Sequence, residues 1–504
     1  MQTGRPALAL TAVLAASAFV LGLDADVTKP SQSAEIQIQL GNQLFQEGRY
    51  IDAVDAFQLA LDASAPDDRR PAQEGLTRAA LRIARFNVAR TTAADVAAAS
   101  PRDPEALSLY GDALWASGLF QEAEAQYQAA LAIEPQLARG RHGTARSLAA
   151  RSQLDAALAE GLAALALAPR DMEIHHTLGG IYERLRRYEE AALSFSSYLN
   201  LLPNRDTSDQ ADWSRSEIRF LRSFGRRTPF EMDEGAADQN YTVGFRLVND
   251  KIVIRARVND GPLQDFVVDT GAENTLLTGP VAQRLGVTPV TYTLSAGVGD
   301  LGLRGLQLGR IDTLDIGGLQ LRNVPTTIKD PPLRNLPTSE PESLSPLSLG
   351  FSMIIDYATR QITFGKHLPE EPADFELPLR MHRLAMVRGT VDRTFPTNFV
   401  VDTGGQVISI SQATVSALGR EPERRIGLQV FGSSGWDRDA FLLPGVDLLF
   451  DQIRYDNFPV VVLNLNTPSA LLGVQLGGIV GHRFLSQYRV AIDMERSVLR
   501  LKAL

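Results

Sequence analysis

Phe266-Val267-Val268-Asp269-Thr270-Gly271 recurs as Phe399-Val400-Val401-Asp402-Thr403-Gly404, six identical residues at an offset of 133. An Asp-Thr-Gly triplet alone occurs by chance, but an identical hexapeptide in matching surroundings does not. Val258-Asn259-Asp260 precedes the first copy as Val391-Asp392-Arg393 precedes the second. Asn323-Val324-Pro325 answers Asn457-Phe458-Pro459, and Ile355-Asp356 with Ile362 answers Ile492-Asp493 with Leu499. From Tyr241 onward, short alternating runs of Val, Ile and Leu are broken by Gly, Pro, Asn and Asp, the texture of an all-β region. The spacing predicts two homologous all-β lobes, 241–367 and 375–504, with Glu370 to Asp374 as the joint.

Upstream, from about Ala34 to Pro203, the chain is rich in Ala, Leu and Gln, and a period runs through it. Gly41 is followed by Ala53 and Phe57, Gly111 by Ala123 and Tyr127, Gly179 by Ala191 and Phe195. In each case the small residue comes twelve after the Gly and the aromatic sixteen after it. Ala145, Ala157 and Gly161 keep the phase with weaker residues, and Gly75 begins a slightly longer copy. About five repeats therefore start at 41, 75, 111, 145 and 179 and fill 34–203. They resemble the tetratricopeptide repeat. That resemblance implies an all-α solenoid of helix pairs, whose concave face binds a protein partner or acts as a spacer. Ser214 to Phe224 reads as a last amphipathic helix that caps the solenoid, and the polar stretch Thr228 to Asn240 as a linker, so 204–240 is the boundary. Each half is expected to fold alone.

The repeated hexapeptide resembles the aspartic protease group, with a retropepsin-like lobe duplicated and fused on the pepsin plan. The fold class implied is a tetratricopeptide-type solenoid followed by a bilobal all-β aspartic-protease-like domain. The chemistry implied is peptide hydrolysis by Asp269 and Asp402. Two carboxyls about 3 Å apart share one proton, so one activates a water and the other protonates the scissile carbonyl. Thr270, Gly271, Thr403 and Gly404 support the catalytic loops: Gly permits the tight turn, and the Thr hydroxyls are expected to bond across the axis to the opposite loop. Ala272 and Gly405 follow the two triplets, where pepsin-type enzymes have a Ser or Thr that orients the carboxylate.

The resemblance also implies Gly-containing flaps. The candidates are Ala296 to Asp300, with Gly297 and Gly299, and Gly432 to Trp436; ordinary hairpin turns are the alternative. Trp436 either contacts substrate or covers a rim. Lobe two carries Ile479-Val480-Gly481 beside its Asp loop. An ungapped alignment of Ser345–Phe364 with His482–Leu501 puts Glu342-Ser343-Leu344 in that place in lobe one, which predicts irregular support under Asp269. His482 reads as a polar cap on a helix start.

Composition narrows the rest. The 504 residues carry a formal net charge of −9 and no Cys. This excludes disulfides, thiolate metal sites and a cysteine nucleophile, and argues against nucleic acid as partner. The six His are scattered, so no metal site and no cofactor are expected. Arg5 followed by the uncharged run Ala7 to Leu23 reads as a secretory signal or an uncleaved anchor within 1–25. The chain is expected outside the cytoplasmic membrane, in the periplasm or cell envelope or secreted, touching membrane only through that segment. The leading reading is an exported aspartic endopeptidase acting on protein or peptide. The alternative is an inactive peptide-binding adaptor or envelope scaffold.

Overall fold

The computed structural model describes residues 30–65, 69–203, 208–299, 304–329 and 342–504. The signal or anchor segment 1–25 and Asp300 of the first flap candidate lie outside the described residues. Among the described residues no helix is long and apolar enough to cross a membrane.

The first half is helical. Helices α1 (Pro30–Gln46), α2 (Tyr50–Ala63), α3 (Arg70–Arg82), α4 (Phe86–Ala99), α5 (Pro104–Ala116), α6 (Phe120–Ile133), α7 (Ala138–Ala150), α8 (Leu154–Leu167), α9 (Met172–Arg184) and α10 (Tyr188–Leu201) form five pairs, and α11 (Asp209–Arg222) packs on the last. The Gly-aromatic period has a steric cause. A Cβ at Gly41 would lie 2.8 Å from the Phe57 ring, and one at Gly75 2.2 Å from it. Phe57 of α2 thus fills the space between α1 and α3. Tyr127 sits in the same way between Gly111 and Gly143.

The second half is all β, so the chain has the expected class: helical repeats followed by a large β region. In the first lobe the strands run side by side as Lys251–Val258, Leu263–Val268, Glu342–Leu344, Thr275–Thr278, Leu319–Lys329 and Arg304–Ile316. In the second they run Leu384–Val391, Phe395–Val401, Gly478–Val480, Ile408–Ser411, Ile453–Leu463 and Phe441–Phe450, which is the same order. In each, the last strand returns to pair with the first, curling the sheet into a barrel-like form. The lobes join through Ser352–Asp356 and Tyr488–Asp493, with Met353 opposite Ile492 and Ile355 opposite Val490. One apolar core runs through both, from Phe266 and Val268 to Phe399 and Val401.

The halves are not independent, contrary to the expectation of a polar tether. Leu114, Trp115, Leu119 and Phe120 of the α5–α6 region share one buried cluster with Leu384, Met386, Val400 and Leu472 of the second lobe. Gly118 in that turn sits so tightly that a Cβ would lie 1.6 Å from the Asn398 amide nitrogen, and Gln475 N donates to Ala116 O at 2.7 Å. Ser497 Oγ donates to Arg151 O at 2.5 Å, and Arg186 donates to Phe230 O and Leu349 O at 3.1 and 3.0 Å. The turns within the third, fourth and fifth repeats therefore rest on the β half. The stretch 228–240 is itself strapped down: Phe230 is buried in the β core, and Glu231 bridges to Arg322. A sequence rich in charge can do this because its few apolar and hydrogen-bonding groups find partners, whatever its average polarity.

Candidate active site

Each Asp ends a strand whose parallel neighbour holds its backbone. Phe266, Val267 and Val268 pair with Glu342, Ser343 and Leu344; Phe399, Val400 and Val401 pair with Gly478, Ile479 and Val480. Asp269 N donates to Leu344 O at 2.8 Å, and Asp402 N to Val480 O at 3.0 Å. The support under Asp269 is therefore regular, against the sequence expectation. The register is also one residue off that alignment, since Ser345 and not Leu344 stands where Gly481 does. Gly481 is needed because a Cβ would lie 2.6 Å from Gly405 O. Ser345 instead donates its hydroxyl to Ala272 O at 2.6 Å. The connection that follows is an irregular turn over 345–351 in lobe one and carries the helix His482–Leu485 over 481–487 in lobe two.

Beyond the strands the loops grip each other. Thr270 Oγ1 donates to Val401 O at 2.6 Å and accepts from Thr403 N at 3.1 Å. Thr403 Oγ1 donates to Val268 O at 2.7 Å and accepts from Thr270 N at 3.1 Å. Both Thr are buried, so four hydrogen bonds out of water set the spacing of the two lobes. A Cβ at Gly271 would lie 2.6 Å from Asp402 Cγ, and one at Gly404 2.7 Å from Asp269 Cγ. Only glycine lets each carboxyl lie against the opposite loop.

Asp269 and Asp402 are half-buried, and each carboxyl lies against the opposite loop's glycine. Their surroundings differ. Asp402 Oδ1 accepts from Gly404 N at 2.8 Å and from Gly405 N at 2.9 Å; Asp269 Oδ1 accepts from Gly271 N alone, at 3.0 Å. Burial raises Asp269, the Asp402 charge and their shared hydrogen bond add to it, and its pKa reaches about 7. Burial also raises Asp402, but the two glycine amides and the bond from Asp269 oppose it. The extra amide bond favours the charged form at Asp402. The Gly405 amide supplies the contact that an absent Ser or Thr side chain would make. Lys251 holds both carboxyls down slightly; nothing in its local sequence marks it.

The flap candidates meet at their tips. Strands Pro289–Ser295 and Arg304–Ile316 pair below the first, and Val430–Gly432 and Gly435–Asp437 form the second. Gly297 N donates to Ser434 Oγ at 2.9 Å, and Ser434 N donates to Val298 O at 2.9 Å. Gly299 and Gly432 are required by that approach, since a Cβ on either would lie 2.4 Å from backbone across the contact. Trp436 lies edge-on to Phe431 with ring centroids 5.3 Å apart. His482 makes no side-chain cap; its ring packs edge-on to Tyr357.

The aspartyl protease family model matches residues 254–353. The tetratricopeptide repeat model matches 76–138 and 142–208. No curated protein matches the chain. Among solved structures, a thermophilic tetratricopeptide protein of Thermus thermophilus is 23% identical, covering 34% of this chain and 93% of its own, with a TM-score of 0.30. A tetratricopeptide protein from Parabacteroides merdae is 15% identical, covering 39% and 75%, at 0.30. PilF of Pseudomonas aeruginosa is 15% identical, covering 38% and 85%, at 0.28. The chain thus carries tetratricopeptide repeats over 76–208 and an aspartyl-protease-family domain over 254–353.

Proposed function

We propose that the chain is an aspartic endopeptidase with two duplicated lobes that share one dyad. The observation that carries this reading is the asymmetric pair: Asp402 bonded by two amides, Asp269 by one, each carboxyl set against the opposite loop's glycine. In the reaction, ionised Asp402 takes a proton from a water held between the carboxyls. That water attacks the scissile carbonyl carbon, and protonated Asp269 donates to the carbonyl oxygen. Collapse of the tetrahedral intermediate expels the amine, which receives its proton from the dyad. Thr270 and Thr403 fix the separation, and the touching tips around Gly297 and Ser434 close over the bound peptide and keep water out.

The solenoid recruits the protein to be cut. Its open face holds a cavity of about 250 Å³ lined by Arg70, Glu74, Arg78, Glu105, Leu109 and Arg139, from α3, α5 and α7. Holding a partner there raises the local concentration of its cleavable segment. The apolar run 7–23 makes export part of the same proposal. Incubating the purified chain with a peptide library from pH 3 to 8, with products read by mass spectrometry, tests it. Cleavage at defined bonds is expected; no cleavage at any pH leaves the peptide-binding adaptor.

A further inference from the structure

The two Asp loops are tied to the opposite lobe by different chemistry. Glu273 and Gln406 hold equivalent places, four residues after each Asp. Gln406 Nε2 donates to Asn249 O at 2.9 Å, in the turn between strands Arg246–Val248 and Lys251–Val258. Glu273 Oε2 accepts from Arg383 Nε at 2.9 Å and Nη2 at 2.5 Å, in the turn between Phe375–His382 and Leu384–Val391. Asn249 and Arg383 both have left-handed backbone, with φ of 49° and 59°, so the two ties occupy matching corners. One is neutral and open to solvent. The other is an ion pair roofed by the solenoid.

That roof is specific. The Arg383 guanidinium lies over the Trp213 ring of α11, 4.9 Å from its centroid. Glu183 of α9 and Glu217 of α11 both feel Arg383 and Glu273. Burial pushes Glu183 up to about 7 and Glu217 well above the usual carboxyl range, Arg383 opposing both shifts. His176 of α9 and His382 beside Arg383 are kept neutral, burial being the first cause for each. Arg184 of α9 also faces Glu183. Arg383 is thus bonded to the Asp269 loop through Glu273 and covered by α11 through Trp213.

We propose that Glu273 and Arg383 are positioning residues for Asp269, and that α11 holds their ion pair closed through Trp213, so the solenoid is part of the active-site support. The route is short. Three residues separate Glu273 from Asp269, and Ser345 pins the one beside it through Ala272 O. Movement at Glu273 therefore has little chain in which to dissipate before it reaches the dyad. An error of 1 Å there costs on the order of a hundredfold in rate.

The kinetic arm of the test rests on the peptidase reading; the exchange arm does not. Hydrogen exchange is followed in the full chain for peptides covering 266–274 and 399–407. The variants are Glu273→Ala, Trp213→Ala and Gln406→Ala. Glu273→Ala and Trp213→Ala should each speed exchange about tenfold or more in 266–274 and leave 399–407 unchanged, since opening is local. Gln406→Ala should do the reverse. For Glu273→Ala, kcat should fall about tenfold or more with KM within about twofold, because only the reacting geometry is disturbed. Its pH profile should shift on the upper limb, and Arg383→Lys should restore part of the rate lost in Arg383→Met. Unchanged exchange in 266–274 for both Glu273→Ala and Trp213→Ala overturns the proposal. So does faster exchange spread evenly over the chain, which would mean general loosening. If the wild type cuts nothing, the peptidase reading falls while the exchange result still decides the tie.

Discussion

Raising the pH from 5 to 9 strips the proton that Asp269 holds against Asp402, and cleavage should fall with it. The pKa of about 7 comes from burial first, then from the Asp402 charge and their hydrogen bond. A group of that pKa is about 99% protonated at pH 5, half at pH 7, about 10% at pH 8 and about 1% at pH 9. Only the singly protonated pair can supply both acid and base, so kcat/KM should drop close to tenfold per unit above pH 7. At the acid end the rate falls as Asp402 gains a proton. That limb lies below the first, because the Gly404 and Gly405 amides favour the ionised form. The pair titrates as a unit, so the two limbs belong to the dyad. The same shift bears on stability. A carboxyl raised on folding stabilises the fold fully below its unfolded pKa, and that contribution is lost as pH climbs from about 4 through about 7. The assay is kcat/KM on a peptide without ionisable side chains, from pH 3 to 9, with circular dichroism at each pH to show that the fold persists. A rate that is flat or rising between pH 6 and 9 in folded protein refutes the assignment of the proton to Asp269.

Thr270→Val deletes a buried donor to Val401 O and a buried acceptor for Thr403 N. It should cost about 2–4 kcal/mol in urea titrations followed by near-UV circular dichroism, with Thr403→Val alike and Thr270→Ser under about 1 kcal/mol. Gly271→Ala and Gly404→Ala drive a methyl into the facing carboxyl; both should lose at least about a hundredfold in kcat while keeping a native far-UV spectrum. A chain beginning near Tyr241 uncovers Leu384, Met386 and Leu472 and removes the Trp213 roof from Arg383. It should melt roughly 10 °C or more below the full chain or aggregate, as several kcal/mol of lost apolar burial implies; an unchanged melting temperature for the β half would show that the helices only rest on it.

The crossed bonds between the two Asp loops were legible because Thr270 and Thr403 both lie within the repeated hexapeptide. Asp, Thr and Gly each carry a steric or chemical demand that a sequence displays. The helical repeats were legible for a similar reason: Gly41, Gly111 and Gly179 make room for Phe57, Tyr127 and Phe195, each sixteen residues on. The contact between the halves was not. Trp115 and Phe120 look like repeat core and Leu384 and Met386 like strand interior, and no periodicity says that these apolar faces meet. The Glu273–Arg383 pair joins residues 110 apart in the chain through two ordinary turns. The one-residue error beside Asp269 arose because Ser345 satisfies with a hydroxyl a position that Gly481 satisfies with bare backbone. Residue type alone does not show that equivalence.

The most direct measurement is cleavage by Asp269→Asn and Asp402→Asn beside the wild type, on one peptide at the wild type's best pH. Asn keeps the shape of each side chain and the bonds it accepts from Gly271, or from Gly404 and Gly405, but cannot share a proton across the axis. Both variants should fold, bind the peptide and cut it at least about a thousandfold more slowly than the wild type. Wild-type rates surviving in either variant would place the chemistry somewhere other than between Asp269 and Asp402.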